Sequence, residues 1–162
     1  MSIAIQMKYE QMRKESPAIA CIFMLQAWSG TRITEVLNIR LKDIISDQEV
    51  IVKGLKGSQD RYITTPIKLE HLRKCMLLKQ DPFTLYNRFM IYRFYKRYGI
   101  LLKTPAQFNN KVTHSLRYDF IMKLREHTAQ TGTIQNAIGH KSKNTTEKYI
   151  TRFDSFRRNS NK

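Results

Sequence analysis

Residues 138–149 read Ile-Gly-His-Lys-Ser-Lys-Asn-Thr-Thr-Glu-Lys-Tyr. Gly139 closes a short apolar helical segment, and glycine is the usual residue where a helix stops. A histidine directly after such a glycine, His140, is expected at the surface or lining a cleft. Tyr149 follows nine positions later, in a last helical turn expected over about 145–150. Upstream, 114–117 read His-Ser-Leu-Arg, at the start of a helix expected from about 115 to 127. Residues three apart on a helix are neighbours, so His114 and Arg117 project from adjacent points. Further back, 29–37 read Ser-Gly-Thr-Arg-Ile-Thr-Glu-Val-Leu. Ser29-Gly30-Thr31 breaks a strongly apolar helix over 18–28. Arg32 then opens a new one to about Arg40, with Ile33, Val36 and Leu37 on one face.

The remaining chain frames these blocks. Residues 3–15 suit a polar helix, and Ser16-Pro17 is an N-cap followed by proline at the first helical position. Residues 49–53 and 61–65 alternate as strands around a glycine-containing polar turn, predicting a β-hairpin with a basic tip, stopped by Pro66. Helices are expected over 68–80 and 84–98, an irregular stretch over 100–113, and a break and N-cap at Gly132-Thr133. The aromatic residues of 84–98 alternate with arginine and lysine. Such a stripe is able to stack bases but more commonly forms core plus a solvated face. His71 and His127 sit in ordinary amphipathic helices and carry no functional signal.

Composition limits the function classes. The chain has 162 residues with 29 Lys and Arg against 13 Asp and Glu, a net charge of +16. Basic residues are spread along the whole length, which argues for a folded basic surface and a polyanionic partner, most often nucleic acid. No apolar run approaches the length of a membrane span, and Met1–Glu10 lacks the apolar core of a secretory signal. Cys21 and Cys75 lie in apolar surroundings and are expected to be reduced core thiols. There is no Cys-x-x-Cys pair for zinc, and the acids form no close pair near the motif blocks to hold Mg²⁺.

Together the three blocks resemble the tyrosine recombinase, or phage integrase, family. That family has a first arginine in a G-x-R-x-x-E pattern, a lysine hairpin, an H-x-x-R pair, a G-H and a tyrosine after T-T-x-x. Arg32 with Glu35, His114 with Arg117, Gly139-His140, and Thr145-Thr146-Glu147-Lys148-Tyr149 fill the pattern in order over residues 16–150. A departure lies at Tyr118-Asp119, where many relatives have His-Thr or His-Ser. The resemblance implies a mainly α fold with a small β-hairpin and a DNA strand-transferase activity without cofactor or metal. Tyr149 would be the nucleophile, giving a 3′-phosphotyrosyl ester and a free 5′-hydroxyl. Arg32 and Arg117 would clamp the phosphoryl oxygens. His114 would act as acid or base at the tyrosine, and His140 would hydrogen-bond the phosphoryl group. Glu35 would orient Arg32. The catalytic lysine belongs in the hairpin turn, where Lys56 fits better than Lys53.

Each residue alone has a plainer reading. Arg32 and Arg117 would pair with Glu35 and Asp119, and Tyr149 would be an amphipathic anchor. Five matches in order and spacing favour the shared mechanism. Contacts to DNA are expected from Lys53, Arg61, Lys111, Lys141 and Lys143. One domain is expected: a lead-in over 1–15, a core over 16–150 and a basic tail over 151–162, without the family's usual N-terminal DNA-clamping domain. The expected partner is double-stranded DNA, bound by a free-solution monomer that forms a dimer or tetramer there. Binding should weaken steeply with salt. The expected location is cytoplasmic and nucleoid-associated. Open alternatives are a silent DNA-binding regulator or competitor derived from an integrase, a type IB topoisomerase-like enzyme, and an RNA- or ribosome-binding protein.

Overall fold

A computed structural model describes residues 1–100, 112–128 and 130–160, with backbone alone for 112–114, 152–153 and 155–160. The described chain is mostly helical: α1 (Ile3–Glu15), α2 (Pro17–Ser29), α3 (Ile33–Leu37), β1 (Glu49–Val52), β2 (Arg61–Thr64), α4 (Glu70–Leu78), α5 (Arg88–Arg97), α6 (Val112–His127), α7 (Thr131–Ile138) and α8 (Lys143–Ser160). The expected mainly α fold with a small hairpin is what forms.

Helix α2 is the hub. Its Ser16 side chain accepts from the Ile19 amide at the N-terminus, and Pro17 occupies the first turn. Apolar residues run around its whole circumference, so it must be enclosed on every side. Helices α1, α3, α4 and α6 pack against it. A smaller core of Ile121, Ile134, Ile138 and Ile150 joins α6, α7 and α8.

Strands β1 and β2 pair antiparallel, with Glu49 opposite Thr64 and Val52 opposite Arg61. An eight-residue loop, 53–60, joins them and has a tight turn at its tip. Ser58 donates its amide to the Leu55 carbonyl at 3.2 Å, and Lys56 and Gly57 both take positive φ, 49° and 82°. Two successive left-handed residues define the type I′ geometry whose twist matches that of paired strands.

Several boundaries differ from expectation. Helix α3 stops at Leu37, which lets Ile39 bury. Arg40 and Asp43 then cap a 3-10 turn at Leu41–Asp43. Helix α5 begins at Arg88 because the Asn87 side chain accepts from the Phe89 and Met90 amides. Gly132 lies inside the first turn of α7 rather than breaking it. The greatest difference is α8, which continues to Ser160 where a polar tail was expected. No glycine or proline follows Gly139 to end it, and an Arg125–Asp154 ion pair at 3.3 Å ties it to α6. Both cysteines are buried and free. In α5, Ile91, Phe94 and Tyr95 are buried while Phe89 and Tyr92 face solvent. The stripe is therefore largely core with a solvated face. No helix of the described residues is long and apolar enough to cross a membrane.

Candidate active site

The turn after α2 supplies the first wall. Gly30 caps α2 in the left-handed conformation, and an added Cβ there would lie 2.5 Å from Phe120 Cδ1. The turn is braced from the core. Tyr95 donates its hydroxyl to Gln26 Oε1 at 2.8 Å, and Gln26 Nε2 donates to the Thr31 carbonyl at 3.2 Å. Both Gln26 and Thr31 are completely buried. Sequence reading missed this brace, although a glutamine within an otherwise apolar helix is its visible signal.

Arg32 sits at the N-cap of α3, beside its carboxylate partner. Arg32 Nη1 meets Glu35 Oε1 at 3.1 Å, while Glu35 Oε2 accepts the Arg32 amide at 3.0 Å. Arg32 Nη1 also donates to the Ser58 hydroxyl in the hairpin. The Glu35 side chain is fully enclosed. Burial pushes its carboxyl up, but the Arg32 amide and the Arg61 and Arg32 guanidiniums together hold it below the ordinary value.

Arg61, expected on the DNA face, is instead buried. Its Nη2 pairs with Glu35 Oε2 at 2.8 Å, and its Nη1 donates to the Ile138 carbonyl. Glu35 therefore binds two arginines, one from α3 and one from β2. Gly139 is dictated by this contact: its φ is +68°, and an added Cβ would lie 2.7 Å from Arg61 Cδ.

Arg117 from α6 is 1% exposed. Its Nη1 donates to the Gly30 carbonyl at 2.6 Å. Its Nη2 donates to the Ile138 carbonyl at 3.2 Å and to His140 Nε2 at 2.8 Å. It makes no pair with Asp119, which binds Lys123. Burial, with Arg32 and Arg61 nearby, lowers its pKa to about 10, so it stays cationic at neutral pH. Among the described residues, the Nε atoms of both Arg61 and Arg117 are buried without a hydrogen-bond partner. Guanidinium donors are strong and costly to leave unmet once buried.

His140 follows Gly139, and its side chain is enclosed: the residue is 2% exposed. Its Nδ1 lies 3.0 Å from Thr146 Oγ1 in α8. Desolvation first, then Arg117, Arg32 and Arg61, push its pKa down to about 3. It is therefore a neutral imidazole. Its ring lies 5.7 Å from that of Tyr149, centroid to centroid. Tyr149 is half-buried on α8 and close enough to Arg117 to interact with it electrostatically.

The hairpin tip is joined to the Gly139-His140 segment by backbone. Gln59 donates to the Gly139 carbonyl at 2.7 Å, and Lys141 donates to the Gly57 carbonyl at 3.0 Å. Lys56 is exposed at the tip. Lys53 is also exposed and pairs with Asp60 at 3.1 Å. Lys141 and Lys143 are exposed nearby in sequence, and Lys143 lies 3.6 Å from Glu147. His114 lies in α6, but its side chain and all of Lys111 fall outside the described residues, as does most of the stretch expected to be irregular. The structure thus brings Arg32, Glu35, Arg117, His140 and Tyr149 together and adds Arg61 to them. Among the described residues, no group of three or more His, Cys, Asp or Glu side chains is placed to hold a metal ion.

Comparison with known proteins agrees with this fold. The phage integrase family model matches residues 5–155. A putative integrase/recombinase, y4eF, from Sinorhizobium fredii is 32% identical over 130 residues, covering 75% of this chain and 52% of the relative. The tyrosine recombinase XerA of Thermococcus onnurineus is 27% identical over 143 residues, covering 79% and 49%. The chain spans about half the length of these curated relatives. Among solved structures, the XerH site-specific recombinase bound to its difH substrate before cleavage superposes with a TM-score of 0.64. That match is 19% identical and covers 96% of this chain and 50% of the other. The XerA recombinase crystal structure gives a TM-score of 0.61 at 22% identity, covering 92% and 57%. These similarities identify the fold.

Proposed function

This chain belongs to the phage integrase family, and from that premise we propose that it cleaves and rejoins double-stranded DNA through a 3′-phosphotyrosyl intermediate. The observation that carries the reading is the enclosed cationic site. Arg32, Arg117 and His140 converge there, with Arg117 in electrostatic reach of the half-buried Tyr149 and Glu35 the carboxylate that pairs with Arg32 and Arg61.

In this reading the Tyr149 phenol oxygen attacks the scissile phosphorus, and the bond to the 5′-oxygen breaks. His114 takes the phenol proton. A hairpin lysine, assigned as Lys56, gives a proton to the leaving 5′-oxygen. Arg32 and Arg117 bind the non-bridging oxygens, where negative charge is greatest at the transition state. Removing one such preorganised donor costs roughly 10²–10³ in rate. Rejoining runs the same steps backwards from the 5′-hydroxyl, so the ester conserves the energy of the original bond. His140 is held neutral against Arg117 and supports that guanidinium before the phosphoryl group enters. Lys53, Lys141, Lys143 and Lys111 are the residues assigned to phosphate contacts. The free chain is a monomer that assembles as a dimer or tetramer on DNA, with a DNA-associated location.

Covalent trapping tests the reading. A labelled duplex nicked next to the scissile position, carrying sequence that flanks the chain's own reading frame, is incubated with protein in EDTA. An SDS-resistant protein–DNA band is expected, absent with Tyr149→Phe while a gel shift persists. A band that needs a divalent cation, or that survives Tyr149→Phe, overturns the mechanism.

A further inference from the structure

We propose that Thr146 is a positioning residue for the strand-transfer site. Its hydroxyl accepts the Nδ1 proton of His140, fixes the imidazole tautomer, and thereby aims Arg117. The inference rests on the proposed function for its catalytic consequence, but its structural half stands on geometry alone.

Arginine carries only donors. The 2.8 Å contact between Arg117 Nη2 and His140 Nε2 therefore requires Nε2 to be the acceptor. A neutral imidazole with a lone pair on Nε2 has its proton on Nδ1. That proton points to Thr146 Oγ1, 3.0 Å away. The tautomer of a histidine is set by the hydrogen bond its other nitrogen makes, and here Thr146 supplies it. The environment offers little competition from water: Thr146 is 0% exposed and His140 2%.

The consequence for Arg117 follows from its three acceptors among the described residues. Two are backbone carbonyls, Gly30 and Ile138, and do not change with protonation. His140 Nε2 is the side-chain acceptor, and it is an acceptor in one tautomer only. With the proton on Nε2, two donors would face each other at hydrogen-bond distance and Arg117 would turn away. Thr146 and Tyr149 are three residues apart on α8 and share a face of that helix. One helix thus carries the proposed nucleophile and sets the tautomer that orients a phosphate-binding arginine.

Nitrogen-15 histidine NMR of the full chain tests this, with His140→Asn to assign the resonance. At neutral pH, wild-type His140 should show a protonated Nδ1 and a bare Nε2. Thr146→Val removes the acceptor at nearly constant volume and should move the proton toward Nε2, while Thr146→Ser should restore the wild-type signature. Thermal melting verifies folding, and Thr146→Ala replaces the valine variant if that one does not fold. The initial rate of covalent trapping on nicked duplex should fall about tenfold to a hundredfold in Thr146→Val, the usual effect of losing a hydrogen bond to a charged group. It should recover to within about threefold in Thr146→Ser. A wild-type tautomer in the folded acceptor-less variant overturns the proposal, as does a bare Nδ1 in the wild type. An unchanged trapping rate with a flipped tautomer overturns its catalytic half. Failure of the wild type to trap DNA at all counts against the strand-transfer reading instead, and leaves the tautomer result to decide Thr146.

Discussion

Among single residues, Glu35 carries the greatest electrostatic burden. It is the enclosed counter-charge to Arg32 and Arg61, and both pairs are short. Removing one member of a buried ion pair leaves an uncompensated charge and costs about 3–5 kcal/mol. Glu35→Gln should therefore lower the unfolding free energy read from a urea titration by that order, while Glu35→Asp should lose less. Folded Glu35→Gln protein should also trap DNA poorly, because Arg32 loses the carboxylate that fixes its direction. The G-x-R-x-x-E spacing made this pair legible in the sequence. Arg61 was not legible in the same way. A basic residue beside a hairpin turn looks like a phosphate contact, and only its bonds to Glu35 and to the Ile138 carbonyl reveal it as an internal brace.

At the level of elements, the hairpin and α8 matter most. The hairpin turn places Lys56 in the left-handed region, which asparagine tolerates far better than alanine. Lys56→Asn therefore removes the charge and keeps the turn, and should reduce covalent trapping by about 10²-fold, the scale of a lost general acid. Lys53→Ala should do much less, since Lys53 is engaged by Asp60. The reverse ranking would move the proton donor to Lys53. The hairpin's reach to the Gly139-His140 segment explains why the turn must be so tight. The Gly57 carbonyl and the Gln59 amide both pair with that segment's backbone. Helix α8 was legible only in its first turns. Its continuation past Ile150 depends on packing against α6 and the Arg125–Asp154 pair, contacts that local sequence does not encode.

For the whole molecule, burial of one histidine links stability to pH. His140 has a folded pKa of about 3 against an ordinary value of 6.5. The unfolded chain therefore takes up the proton first as pH falls. The stabilising contribution is fully present above about pH 6.5 and is lost as pH drops toward 3. One such group contributes a slope of about 1.4 kcal/mol per pH unit in that window. Denaturant unfolding from pH 7 to 4 should show this acid loss, and His140→Gln should flatten the curve by about one proton. An unchanged slope in that variant would mean that His140 titrates normally. The sequence by itself determined what depends on neighbours a few residues away. Ser16 caps α2, the apolar run of α2 demands enclosure, a polar turn over 54–60 joins two strands as a hairpin, and the motif residues keep their order and spacing. These features rest on backbone dihedrals, capping bonds and hydrophobic periodicity, all of them short-range. Only the tertiary structure decided which charges are inside. Arg61 reaches a carbonyl 77 positions away and Arg117 one 87 positions away. Those contacts bury both guanidiniums and hold His140 neutral among them. Burial and electrostatic environment are properties of the packed chain, which no local pattern specifies.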